Sequence, residues 1–212
     1  MRIVTTPMCE KILIFAGISE YKVNKSPDNE KGDIAILLSE SKTKMNSLSI
    51  KLNTFSQIKD SIIEVSKLKD NENHLKNPVS EEKINDIFAQ YPIAKKWISS
   101  EKKSLQDKNS KIKVKVYSKF LKDIVVDMGF NTIDSDDGGS DFDYIVLPDY
   151  MNIEKLDNSN NHNSYYKHNH DYNNSNYHSH NSEIISIPTH KNVPKDPIKR
   201  AELRYSILSE LT

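Results

Sequence analysis

The sequence predicts an α/β protein: two similar βαβ lobes with mainly parallel sheets, a helical connector, and a closing carboxyl-terminal helix. Three observations carry this. Residues 2–17 read as a short strand, a polar turn and a helix that stops at a glycine. Residues 114–129 repeat that order, with Val4 and Val116, Ile12 and Ile124, Leu13 and Val125, Ile14 and Val126, and Gly17 and Gly129 at one constant separation. Each unit is followed by an apolar run that opens on an aspartate, Asp33 in one and Asp143 in the other. Strand, helix and apolar strand in this order make a βαβ unit, and two such units predict a duplicated half.

Taken in order, Ile3 and Val4 are β-branched and suit a buried strand. Thr6 is an allowed N-cap, Pro7 fits the first helical turn, and Gly17 fits the left-handed residue that ends a helix. Tyr21-Lys22-Val23 is a short second strand. Residues 33–38, DIAILL, read as a central strand covered on both faces. Residues 48–52 alternate like a strand, and Ile58, Ile62, Val65 and Leu68 recur at helical spacing through residues 56–69. Ser80 with Lys83 makes a partial capping box, and Ile84, Ile87 and Phe88 mark a helical face that Pro92 either kinks or ends. Trp97 and Ile98 continue the stripe in residues 93–105. In the second unit, residues 131–134 and 144–147 are strands, and residues 135–141 are a tight acidic turn whose spacing does not match a calcium loop. Residues 183–188 return to strand. Asp196 caps a last helix with Pro197 at its first position, and Ile198, Ala201, Tyr205 and Leu208 form its packing face.

These elements divide the chain into an amino-terminal lobe over residues 1–70, a helical connector over 71–111 and a carboxyl-terminal lobe over 112–212. Within the last, residues 157–182 hold Asn, Ser, His and Tyr with no aliphatic residue, a composition that predicts a disordered insertion.

Lysine plus arginine number 30 and aspartate plus glutamate 30, so no global field recruits nucleic acid or an anionic membrane. One cysteine among 212 residues excludes an internal disulfide. No apolar run reaches membrane-span length, and the first strand begins too early for a signal peptide, so the expected location is cytoplasmic.

Ligands of open α/β sheets bind beyond the carboxyl ends of the strands. That rule selects Thr5 and Thr6, Ser39 and Glu40, Tyr117 and Ser118, Asp149, and Thr189 and His190. The Thr6 turn offers free N–H groups and the positive end of a helix dipole to an anion, without a glycine-rich nucleotide fingerprint. Cys9 falls in the same first turn, where the dipole would favour its thiolate as nucleophile or metal ligand; the bland alternative is a small buried hydrophobe. His168 with His170, and His178 with His180, are H-x-H pairs that could hold Ni, Zn or Cu weakly, against simple compositional drift in an Asn-rich tract.

Arg2-Ile3-Val4, Thr6-Pro7, Glu10, Ile12-Leu13 and Gly17 resemble the opening of the helical-backbone metal receptor lobes, which bind corrinoids or iron chelates. Glu10 stands one place closer to the proline than in that pattern. RIVTTPMCE, GDIAILLSE and RAELRY are similar to an uncharacterised protein family of methanogenic archaea, a resemblance that implies an anaerobic cytoplasm and a link to methanogenesis cofactors. The resulting expectation is a non-catalytic protein that holds a small anionic or metal-containing ligand between its lobes. Thr5, Thr6 and Cys9 would line one wall, and Thr189 and His190 the other. The alternatives are a cofactor-assembly enzyme that uses Cys9, and an interaction subunit that uses the connector.

Overall fold

The computed structural model describes residues 1–68, 78–133, 141–151, 183–189 and 193–212. Two four-stranded sheets form its frame. The first joins β1 (Ile3–Thr5), β2 (Tyr21–Val23), β3 (Ile34–Leu38) and β4 (Ser47–Ile50) in the order β2-β1-β3-β4. The second joins β5 (Lys113–Val116), β6 (Asn131–Ile133), β7 (Tyr144–Pro148) and β8 (Glu183–Ile187) in the order β6-β5-β7-β8. All the described pairings are parallel. The α/β class with two similar lobes is therefore what the apolar runs predict.

The aspartates that open β3 and β7 set the register. Asp33 N donates to Arg2 O at 2.8 Å, and its carboxylate accepts from Arg2 N at 2.6 Å. Asp143 does the same with Lys113, at 2.9 and 2.8 Å. Arg2 thus corresponds to Lys113 and Ile3 to Val114. The pairing of Val4 with Val116 read from the sequence is off by one, because one extra residue lies between the end of β5 and Gly129 compared with the stretch from β1 to Gly17.

Seven α-helices are described: α1 (Glu10–Phe15), α2 (Phe55–Ser66), α3 (Glu81–Ala89), α4 (Pro92–Ile98), α5 (Glu101–Asn109), α6 (Lys119–Asp127) and α7 (Pro197–Ser209). α1 begins later than Thr6 predicts. Cys9 N and Glu10 N donate to the Thr6 carbonyl, not to its hydroxyl. Thr54 caps α2 by accepting from Gln57 N at 3.1 Å, and Ser80 caps α3 by accepting from Lys83 N at 3.2 Å. Pro92 starts a new helix instead of kinking α3, and Ser99, in extended backbone, separates α4 from α5.

α1 and α6 end alike. Ile18 N donates to Leu13 O and Gly17 N to Ile14 O; Phe130 N donates to Val125 O and Gly129 N to Val126 O. Both glycines are left-handed, at φ 76° and 83°, the conformation this double bond demands.

The lobes are tied together by two carboxylates one turn apart on α6. Asp127 accepts from Tyr205 Oη on α7 at 2.6 Å, from Lys102 Nζ on α5 at 2.9 Å and from Ser56 Oγ on α2 at 3.3 Å. Asp123 accepts from Gln57 Nε2 at 3.0 Å and Asn53 Nδ2 at 3.1 Å. Around this latch, Tyr205 is fully buried against Phe55 and Trp97, with ring centroids 4.4 and 5.2 Å away. Glu202 on α7 accepts from Ile93 N at 2.9 Å and so caps α4. The closing helix therefore packs on the amino-terminal lobe and connector while it follows β8 in the chain.

Two elements of this frame can be tested. Gly17→Ala should cost about 1–2 kcal/mol through its positive φ, measured by urea denaturation. Gly129→Ala should cost more, because a Cβ there would lie 2.7 Å from Gln106 Cα and 2.9 Å from its carbonyl oxygen. Tyr205→Phe should cost about 1–2 kcal/mol, the loss of one hydrogen bond to a charged acceptor. Burial, and then the Asp127 charge, hold the Tyr205 hydroxyl well above its ordinary pKa of 10.0. The unfolded chain therefore releases this proton first, and stability falls as pH rises past about 10. Tyr205→Phe should fall less steeply there, with Tyr91, shifted the same way, leaving a residual slope.

Candidate functional site

A cavity of about 600 Å³ lies between the two lobes. Its walls are chain segments that have just left the carboxyl ends of strands. Met8 follows β1, Ser39 and Glu40 follow β3, and Lys51, Leu52 and Asn53 follow β4. From the other lobe come Ser118, Lys119, Phe120 and Asp123 around the start of α6, and Thr189 after β8. Arg200 and Arg204 of α7 complete the lining.

The two arginines are the unusual feature. They sit one helical turn apart and are only 3% and 5% exposed. Arg204 Nε donates to Pro188 O at 3.1 Å and Nη2 to Thr189 O at 3.2 Å, with the guanidinium 5.1 Å from the Phe120 ring centre. Arg200 uses Nη1 alone, donating to Pro194 O at 3.2 Å and Lys195 O at 3.4 Å and touching Met8 Sδ at 3.9 Å. Among the described residues neither has a carboxylate within ion-pair distance. Arg200 Nε and Nη2 and Arg204 Nη1 have no described partner, yet no fully enclosed side-chain nitrogen or oxygen among these residues lacks one. Those nitrogens are therefore not fully enclosed, and both residues line the cavity. Burial, and then the Arg200 charge, pull the Arg204 pKa down to about 10, against the smaller opposing effect of Asp149. Burial lowers Arg200 as well.

The residues selected from the sequence divide. Ser39, Glu40, Ser118 and Thr189 line the cavity, as the strand-end rule requires. Thr5 does not: it is fully buried, and its hydroxyl donates to Ile36 O at 2.9 Å inside the sheet. Thr6 is half-buried and spends its carbonyl on the α1 turn. Tyr117 and Asp149 are not in the lining, although Asp149 accepts the Thr189 hydroxyl beside it. Cys9 is completely buried. Burial pushes its thiol pKa up and outweighs a hydrogen bond with Thr6 and the nearby Arg200 charge, so the helix-dipole argument for a thiolate loses to desolvation. His190 lies outside the described residues, and so does the whole 157–182 tract. The four histidines expected to hold a metal weakly, His168, His170, His178 and His180, belong to that tract and are outside the described residues with it. Arg200 and Arg204 were missed. Their signal was the i, i+4 spacing on the flank of the packing face formed by Ala201, Tyr205 and Leu208.

The architecture has solved counterparts. A Zn(II)-bound variant of AdcAII from Streptococcus pneumoniae superposes with a TM-score of 0.53 at 12% identity, over 99% of this chain and 98% of that one. The metal-dependent lipoprotein YcdH from Bacillus subtilis gives 0.47 at 10% identity, over 99% and 98%. The laminin binding protein Lmb of Streptococcus agalactiae gives 0.45 at 10%, over 99% and 98%. The likeness is one of fold. No family model matches the sequence, and no curated protein matches it, so the resemblance to an archaeal family gains no support from either.

Zinc, which the AdcAII variant holds, finds no matching donor set here: among the described residues no group of three or more His, Cys, Asp or Glu is placed to hold a metal ion. No described helix is long and apolar enough to cross a membrane.

Iodoacetamide at pH 8 should leave Cys9 unmodified in the folded protein while the urea-unfolded chain reacts to completion, read by intact mass. Rapid labelling of the folded protein, with a midpoint below that of an ordinary thiol, would instead support Cys9 as a nucleophile.

Proposed function

We propose that this protein is a non-catalytic receptor that holds a small anionic ligand in the cavity between its two α/β lobes. One observation carries the reading: two arginines buried in the cavity wall have no carboxylate at ion-pair distance among the described residues. A buried cation left unmatched is costly, and a structural arginine is normally matched by an acid. Here the missing negative charge is supplied by the ligand. Guanidinium edges are also the donors best suited to carboxylate and phosphate oxygens.

The fold shared with a zinc-bound protein favours a second form of the same reading, a metal carried inside an anionic chelate. The described lining offers Glu40 and Asp123 as its only carboxylates, so among the described residues the chelate would supply most of the donors. A link to methanogenesis cofactors and residence in the cytoplasm remain part of this proposal, resting on the sequence resemblance alone.

The test is native mass spectrometry and elemental analysis of protein purified anaerobically. The expected result is a small-molecule adduct that is lost on acid denaturation and absent from Arg200→Met and Arg204→Met. Re-adding the released molecule at about a hundred times its dissociation constant should stabilise the protein by about 2.7 kcal/mol, or roughly 5 °C or more. An adduct retained by both arginine variants would overturn the reading.

A further inference from the structure

We infer that the cavity takes a small organic dianion, with its doubly charged head on Arg200 and Arg204 and its apolar body against Met8, Leu38, Leu52 and Phe120. This rests on the receptor reading and narrows it to a ligand class.

The first argument is charge. Both arginines are more than nine-tenths buried, and a ligand with a single negative charge would leave one of them unmatched. The nearby acids act on the pair only through space, Asp196 on Arg200 and Asp149 on Arg204, and neither outweighs burial. Asp196 accepts from Ile198 N, Lys199 N and Tyr91 Oη, and Asp149 accepts from Thr189. Asp123 holds the amides of Gln57 and Asn53 across the lobes. Glu40 is exposed, with one oxygen taken by Ser39 Oγ at 2.9 Å. Lys51 and Lys119, exposed at the cavity, bring the lining cations to four against two carboxylates, a surplus of two positive charges.

The second argument is local geometry. α6 starts in the cavity wall at Ser118, and the Ser118 side chain does not cap it. Its first N–H groups therefore add the positive end of a helix dipole to the same space as the arginines. The third is size. About 600 Å³ is the volume of a site for an organic molecule, well beyond a bare oxyanion, and four large apolar side chains line part of it.

Titration calorimetry on the full chain at pH 8 tests the class, with phenyl phosphate and phenyl sulfate as the decisive pair. They share shape and apolar ring and differ by one negative charge. Phenyl phosphate should bind at least about tenfold more tightly than phenyl sulfate and than inorganic phosphate. Phthalate distinguishes the sources of the dianion: tighter binding than phenyl phosphate assigns a dicarboxylate, weaker binding a phosphate ester. Arg200→Met and Arg204→Met should each erase the preference. The double variant combining Lys51→Ala with Lys119→Ala, altered at exposed positions that leave the fold intact, should weaken phenyl phosphate about threefold. Equal affinity for the two phenyl esters, lost in both arginine variants, overturns the dianion and leaves the anion receptor standing. Absence of binding by all four probes, in a protein that also purifies without an adduct, overturns both.

Discussion

The Asp127 carboxylate holds this molecule in one piece. Three donors from three helices converge on it, and each belongs to a different part of the chain: Ser56 to the first lobe, Lys102 to the connector and Tyr205 to the closing helix. A carboxylate with 14% side-chain exposure needs such a set, since a buried charge without hydrogen-bond partners is costly. Meeting that need pins α6 against α2 and α7 at once. Asp123, one turn earlier, extends the contact along the same face. The spacing between the two sheets, and hence the cavity, follows from this latch.

The closing helix has two duties that conflict in composition. One flank must be apolar, to bury Ile198, Ala201, Tyr205 and Leu208. The adjoining flank carries two arginines into almost complete burial, where desolvation acts against both charges. Backbone carbonyls and the Phe120 ring soften that penalty without cancelling it, because a dipole or a quadrupole is weaker compensation than an anion. Interiors rarely keep such an arrangement for stability. It is the arrangement expected of a site whose charge is balanced by what it binds.

The likeness to zinc-bound AdcAII is one of architecture, and among the described residues no metal-donor set accompanies it. A cleft between two α/β lobes places any ligand beyond the strand ends, whatever its chemistry. What the cleft accepts depends on the side chains that face it. In the described wall four large apolar side chains stand beside guanidinium, ammonium, amide and hydroxyl groups, with one carboxylate exposed and the other spent on the inter-lobe contact.

Most of the frame was legible in the chain because it is local. β-branched runs, the two glycines in left-handed caps, the serine and aspartate caps and the paired aspartates are decided by neighbours a few residues away, and the structure shows them in place. The strand-end rule likewise reached Ser39, Glu40, Ser118 and Thr189. Residues whose role depends on distant partners were not legible. Thr5 stood next to the correct turn, yet sheet register faced its hydroxyl to Ile36. Cys9 stood at a helix start, yet packing removed the water a thiolate needs. Arg200 and Arg204 were not singled out, because only tertiary contact buries them. By itself the sequence determined the two βαβ units and the strand ends at which a site must lie, since period and capping act within a few residues. Only the folded packing of α7 across both lobes decided which side chains face the cavity, because burial and charge pairing are set by segments far apart in the chain.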